Sequence, residues 1–189
     1  MRIMVVDTEF IKHPETQHTV LVEIAYHVYD GNHVLQKEVS HVMHSDEAID
    51  VMNHPDLDDW TRLHAIQLEE IRDGMSAEDM LRVFMSDAND CNIIVGHDIL
   101  TDVAVISRCM KQHNLTFPRF KTLHCTKLLG VQVCNIKRHS YNMQRVQLKW
   151  PKLTELYEVL FRSTFTQEHR ALPDVRACAR VYFALCDRL

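Results

Sequence analysis

Apolar positions change period several times along the chain, and each change marks an element. Residues 2–6 (RIMVV) are a short apolar run rich in β-formers that ends at Asp7, which predicts a buried central strand. Val20, Val22, Ile24, Tyr26 and Val28 then alternate with a more polar set. Asp30, Gly31 and Asn32 supply a turn, and a second strand runs through Val39, giving a β-hairpin. The acidic stretch around NHPDLDDW reads as loop. SAEDMLRVFMSDA predicts a helix with Leu81, Phe84, Met85 and Ala88 on one face, and Ser76 with Asp79 resembles a capping box. Residues 92–98 (NIIVGHD) predict another buried strand, followed by a helix from about Thr101 with Ile106, Cys109, Met110 and His113 as its stripe. KTLHCTKLL reads as a short strand or extended segment, and residues 131–150 are basic without a readable period. Leu153, Leu156, Tyr157, Leu160 and Phe161 have helical spacing. A last helix begins near Pro173, a favoured first-turn residue, with Val175, Cys178, Tyr182, Leu185 and Leu189 as its stripe.

A three-strand meander, then helix, strand, helix, a short strand and two helices describe one α/β domain over residues 1–189 with a mixed sheet. Hydrophobic residues make up 46% of the chain, enough for a sizeable core. No run of about 18 apolar residues suggests a membrane span. The N-terminal apolar stretch is too short for a signal peptide and ends in two carboxylates, so a soluble intracellular protein is expected. The six cysteines lack C-x-x-C spacing and read as small buried hydrophobes. Most of the thirteen histidines stand singly, as His44, His54 and His64 do, and read as surface residues rather than zinc ligands.

Net charge is −5, but it is unevenly spread. Residues 103–154 contain no acid and ten bases: Arg108, Lys111, Arg119, Lys121, Lys127, Lys137, Arg138, Arg145, Lys149 and Lys152. Residues 46–90 hold thirteen acids against Arg62, Arg72 and Arg82. Such polarity fits either a pair of solvated faces or one face that meets a polyanion.

Candidate chemistry lies at predicted element ends. Asp7 and Glu9 close the first strand, and side chains at i and i+2 of a strand share a side. Two carboxylates so close repel unless a cation sits between them, and hard oxygen ligands suit Mg²⁺ or Mn²⁺. Asp102 and Asp174 each begin a helix, where an acid also has an ordinary place against the dipole. His169 precedes Asp174 by five residues. Four carboxylates and a histidine fit two-metal hydrolysis of a phosphodiester, with the histidine as general base.

Three segments, DTE (residues 7–9), GHDILTD (96–102) and HRALPD (169–174), resemble in order and spacing the three motifs of the DnaQ-like, DEDDh superfamily of 3′-to-5′ exonucleases. The likeness covers nearly the whole chain, KLTELYEVLF included. The tyrosine branch carries Tyr four residues before the last Asp, where this chain has Arg170, which points to the histidine branch. The resemblance implies a ribonuclease H-like fold, a five-stranded mixed sheet flanked by helices. It implies Asp7, Glu9, Asp102 and Asp174 as ligands of two Mg²⁺ or Mn²⁺ ions, with His169 as base. It also implies that Thr8 and Phe10 hold the terminal nucleotide, with His97 close by. Asp98 stands where Asn is common, as an extra carboxylate near the metals or as a helix cap. Thr101 replaces a common Phe, and His124 with Cys125 replaces a frequent Asp-Thr pair.

In this light the acid-free segment reads as a track for a nucleic acid backbone, with Lys137, Arg138, Arg145 and Lys149 as its contacts. The expected activity is release of nucleoside 5′-monophosphates from a single-stranded or frayed 3′ end. DNA is placed slightly ahead of RNA, as proofreading or repair-type trimming. No polymerase domain is attached, so a free-standing enzyme or a subunit with an unidentified replication, repair or RNA-processing partner is expected. Two rivals stay open. One is a binding or scaffold module of the same fold that has lost catalysis, although all five residues are kept. The other is an internally cutting relative, which would lack the H-x-A-x-x-D pair.

Overall fold

The computed structural model describes residues 1–59, 61, 66–119, 122–139, 146–166 and 170–188. A meander of β1 (Ile3–Lys12), β2 (Thr19–Tyr29) and β3 (Leu35–His44) opens the chain. There follow α1 (Asp46–Asn53), α2 (Leu68–Arg72), β4 (Met75–Ser76), α3 (Ala77–Asn89), β5 (Ile93–Gly96) and α4 (Ile99–Gln112). Then come β6 (Thr122–Cys125), α5 (Thr126–Leu129), α6 (Val131–Cys134), the pair β7 (Lys137–His139) and β8 (Val146–Leu148), α7 (Leu153–Phe161) and α8 (Ala171–Cys186). The main sheet has the order β4-β3-β2-β1-β5-β6. The meander is antiparallel, while β5 runs parallel to both β1 and β6. Six strands replace the five expected, because the two-residue β4 pairs with the far end of β3. Two residues are too short to show an alternation.

Three corrections concern boundaries. The first strand does not stop at Asp7 but continues to Lys12, so Asp7 and Glu9 lie inside it. What stops is its pairing with β5, whose last partners are Val5 and Val95. Pairing with β2 goes on to Lys12 opposite Thr19, with a bulge between Glu9 and Phe10. The two acids therefore lie beyond the carboxyl end of β5, where open α/β sheets form their crevice. The helices of the second and third motifs start earlier than predicted, at Ile99 and Ala171. Pro173 is thus the third residue of α8. It is tolerated because the first four N–H groups of a helix have no intrahelical acceptor.

The acidic stretch read as loop around NHPDLDDW follows a helix, α1, that the sequence reading did not place. Ser45 caps α1 by accepting from the Ala48 N–H, and Ala48, Val51 and Met52 are buried against Ile11, Val20 and Val22. In the stretch left unassigned, α6 is followed by the small β7–β8 ribbon.

Side chains leave β1 alternately. Met4 and Val6 pack with Phe84 and Ile106 on the α3–α4 side, whereas Ile3 and Val5 pack with Val175 and Cys178 on the α8 side. Nine successive residues of β2 are buried, so its apparent alternation hides burial on both faces. Its polar members are paired: His27 bonds Glu38 at 2.7 Å and Tyr29 at 2.8 Å. The described cysteines carry no disulfide, and no described helix is long and apolar enough to cross a membrane.

Candidate active site

Asp102 and Asp174 are each the fourth residue of a helix, α4 and α8, and each is buried. The two helices flank β1, so their first turns converge on Asp7 and Glu9. Carboxylate oxygens of Asp7, Glu9 and Asp174 lie within 4.8 Å of one another. Asp102 stands beside this group, and its Oδ1 accepts from the Thr8 hydroxyl at 2.8 Å. Gly96, ending β5, permits the approach. A Cβ there would stand 3.1 Å from Asp102 Oδ2 and 3.2 Å from Ile99 Cα.

Burial dominates the electrostatics. It raises the Asp7 carboxyl well above the carboxylate range, and the charges of Asp102 and then Asp174 raise it further. Glu9 is lifted to about 7 by burial, then by Asp174. Burial also lifts Asp102, against the Thr8 hydrogen bond that favours its charged form. Such a cluster is unfavourable when ionised unless a cation is bound, and its converging oxygens suit a hard divalent ion. The donor set therefore fits the metal that the sequence implies.

The site opens into a cleft of about 580 Å³, lined beside Asp7, Asp102 and Asp174 by Thr8, Phe10, His97, Lys127, Trp150 and Lys152. Phe10 is half-buried at its wall, and Thr8 is buried with its hydroxyl committed to Asp102. His97 has both ring nitrogens engaged. The carbonyl oxygen of Pro151 only accepts, so Nε2 carries the proton and donates to it at 3.0 Å. In the neutral ring Nδ1 then accepts from the Thr126 hydroxyl at 2.9 Å. Burial lowers the His97 pKa, consistent with that neutral form.

Asp98, one residue before α4, makes no side-chain cap and pairs instead with Lys127 at 2.6 Å. Thr101 lines the cleft and is exposed, whereas His124 bonds the Tyr182 hydroxyl at 2.8 Å and Cys125 reaches the His97 carbonyl. His169 and Arg145 lie outside the described residues, and of Arg138 only the backbone is described. Lys137 is exposed on β7 and is not among the residues that line the cleft. Lys149 is paired with Glu155 at 2.6 Å in a neighbouring hollow. Among the described residues, the bases that reach the cleft are Lys127 and Lys152, with Trp150 beside them. Sequence reasoning did not single these out. Lys127 was visible only as one member of the acid-free run, and nothing local marked Trp150.

Carboxylates gathered past the end of a parallel strand pair, in an open cleft edged with lysines, define the class: a nuclease-type site on a mixed α/β sheet. Residues 4–182 match the sequence profile described as exonuclease, and the chain belongs to that family, within the DnaQ-like exonuclease superfamily. No curated protein matches the chain in sequence. Among solved structures it is similar to E. coli exonuclease I in complex with a dT13 oligonucleotide, with a TM-score of 0.68 and 13% identity over 99% of this chain and 41% of that one. It is similar to cell-death related nuclease 4, with a TM-score of 0.69 and 11% identity over 99% of this chain and 64% of that one. The protease and nuclease unit of Neurospora crassa Pan2 gives a TM-score of 0.59 and 17% identity over 98% of this chain and 27% of that one. The chain thus spans about two fifths of the length of exonuclease I. At these identities the likeness carries the fold, which is ribonuclease H-like.

Proposed function

We propose that this chain is a metal-dependent 3′-to-5′ exonuclease that releases nucleoside 5′-monophosphates from a single-stranded or frayed end. The observation that carries the reading is the convergence of Asp7, Glu9 and Asp174 within 4.8 Å at an open cleft, with Asp102 alongside. These four carboxylates would hold two divalent ions, Mg²⁺ or Mn²⁺. When bound, such ions supply Lewis-acid stabilisation of charge on the scissile phosphate and the leaving oxygen.

The rest falls to the protein. Thr8 orients Asp102 and favours its charged form by donating its hydroxyl to Oδ1, against the opposing effect of burial. Phe10 offers an aromatic face to the terminal base. Lys127 and Lys152 meet the phosphate backbone and offset the repulsion between a polyanion and the acids. His169, the general base of the motif, takes the proton from the attacking water. The order of preference is DNA, then RNA.

With Mg²⁺, the protein should shorten a 5′-labelled single strand, and Asp7→Ala should abolish shortening without unfolding. Equal activity in Asp7→Ala would sink the assignment. His169→Ala should slow the reaction by about 10²–10⁴-fold. Matched DNA and RNA oligonucleotides, run side by side, decide the sugar preference, and a circular substrate separates end trimming from internal cutting.

A further inference from the structure

Trp150 is 62% exposed, although large aromatic side chains are mostly buried. Its indole is a shared wall. It lines the cleft with the carboxylates and also a second hollow of about 400 Å³ formed with Gln147, Leu148 and Lys149.

The backbone carrying it is held at several points. Trp150 precedes Pro151, which biases it to an extended conformation. The Pro151 carbonyl accepts from His97 Nε2, and His97 is tied in turn to the buried Thr126. One residue earlier, the Lys149 N–H donates to the Ile136 carbonyl at 2.8 Å, and its ammonium pairs with Glu155. On so fixed a segment little backbone is left to order when a ligand binds, which lowers the entropy cost of binding. Lys127 completes the arrangement. Its ammonium stands 5.1 Å from the indole centroid, held by Asp98.

We propose that Trp150 is a stacking platform for a nucleobase of the substrate, and that Lys127 at its ring receives the adjoining phosphate. Every base has a π-face, so such a platform is tolerant of sequence. It gives the cleft a second aromatic grip, apart from Phe10 and from the acids. The proposal rests on the exonuclease reading for the nature of the substrate, but its test need not involve cleavage.

The chain has two tryptophans, Trp60 and Trp150, so Trp60→Phe leaves Trp150 as the sole indole reporter. In EDTA, a single-stranded oligonucleotide titrated into this variant should quench the indole fluorescence saturably. With the Trp60 form of the protein, Trp150→Leu should weaken binding of a labelled oligonucleotide about tenfold and Trp150→Phe much less. Thermal melting should be unchanged in both, because the side chain is exposed. With Mg²⁺, Trp150→Leu should raise KM with kcat nearly constant. Binding and KM unchanged in Trp150→Leu, beside active wild type, overturn the platform and leave the exonuclease standing. Quenching without cleavage of any nucleic acid overturns the exonuclease and leaves the platform. Absence of both binding and quenching overturns the platform outright.

Discussion

Glu23 stands directly opposite Glu9 in the β1–β2 register, yet its carboxylate serves α8 rather than the acidic cluster. It is 1% exposed and accepts from the Ala171 N–H at 2.9 Å and from the Arg170 guanidinium at 3.2 Å. Arg170 reaches on to Glu70 at 2.9 Å. The helix that carries Asp174 is thus anchored at its first residue by the strand next to β1. Glu23→Ala leaves a buried N–H without its acceptor. It should cost about 2–3 kcal/mol in urea denaturation and lower activity as Asp174 shifts. Glu23→Gln keeps an acceptor for Ala171 and should lose less than half as much stability. Equal losses in the two variants would contradict the anchor.

The acidic cluster makes stability depend on pH with a definite sign. Glu9 rises from its usual 4.5 to about 7 on folding, and Asp7 rises as well. The folded state then binds more protons than the unfolded one, so these groups stabilise the metal-free protein at low pH. That contribution fades as pH climbs from about 4.5 through 7. A divalent cation relieves the same repulsion. The rise in Tm on adding Mn²⁺ should therefore grow between about pH 5 and pH 8. A pH-independent rise in a thermal-shift assay would count against the cluster as the binding site. Asp7→Asn should raise the metal-free Tm at pH 8.

Gly96 sets how closely α4 approaches β1. Its added Cβ would meet Ile99 Cα, a backbone atom that moves only with the helix. Gly96→Ala should cost about 1–3 kcal/mol by overpacking. By displacing Asp102 a few tenths of an ångström it should also cut activity by about tenfold or more. Full activity at unchanged Tm would show that the helix accommodates the methyl.

His97 titrates the other way. Burial holds it neutral below its usual 6.5, so its contribution is present above that pH and declines as the unfolded chain takes up a proton. His97→Ala abandons the bonds to Thr126 and Pro151 and should cost about 1–3 kcal/mol at pH 8 and less at pH 5. Oligonucleotide binding should weaken too, since the segment bearing Trp150 loses its staple. Chemical denaturation at the two pH values, with a binding titration, reads both effects.

The three motifs could be read from sequence because their acids fall beside local signals, an apolar run that leads to Asp7 and helix starts just ahead of Asp102 and Asp174. What was illegible was set by tertiary context. The extent of β1 was hidden because its buried continuation includes Asp7 and Glu9, polar residues that end an apolar run by eye. The acids of α1 masked a stripe of Ala48, Val51 and Met52. Lys127 and Trp150 are 23 residues apart in sequence and meet only when the fold brings them to one wall. The chosen bases of the basic segment illustrate the same limit, because charge density alone did not separate Lys149, already paired with Glu155, from Lys152 at the cleft.

The anchoring of α8 bears on when the acidic site can assemble. During synthesis α8 follows β1 by about 160 residues, yet it brings Asp174 to partners on that strand. A nascent chain lacking α8 has Asp7, Glu9 and Asp102 but no assembled site, and it exposes Ile3, Val5 and Ala25, which α8 covers. For the exonuclease proposed above, hydrolytic competence would then arrive in a single step at docking, and proteolytic loss of that one helix would revoke it.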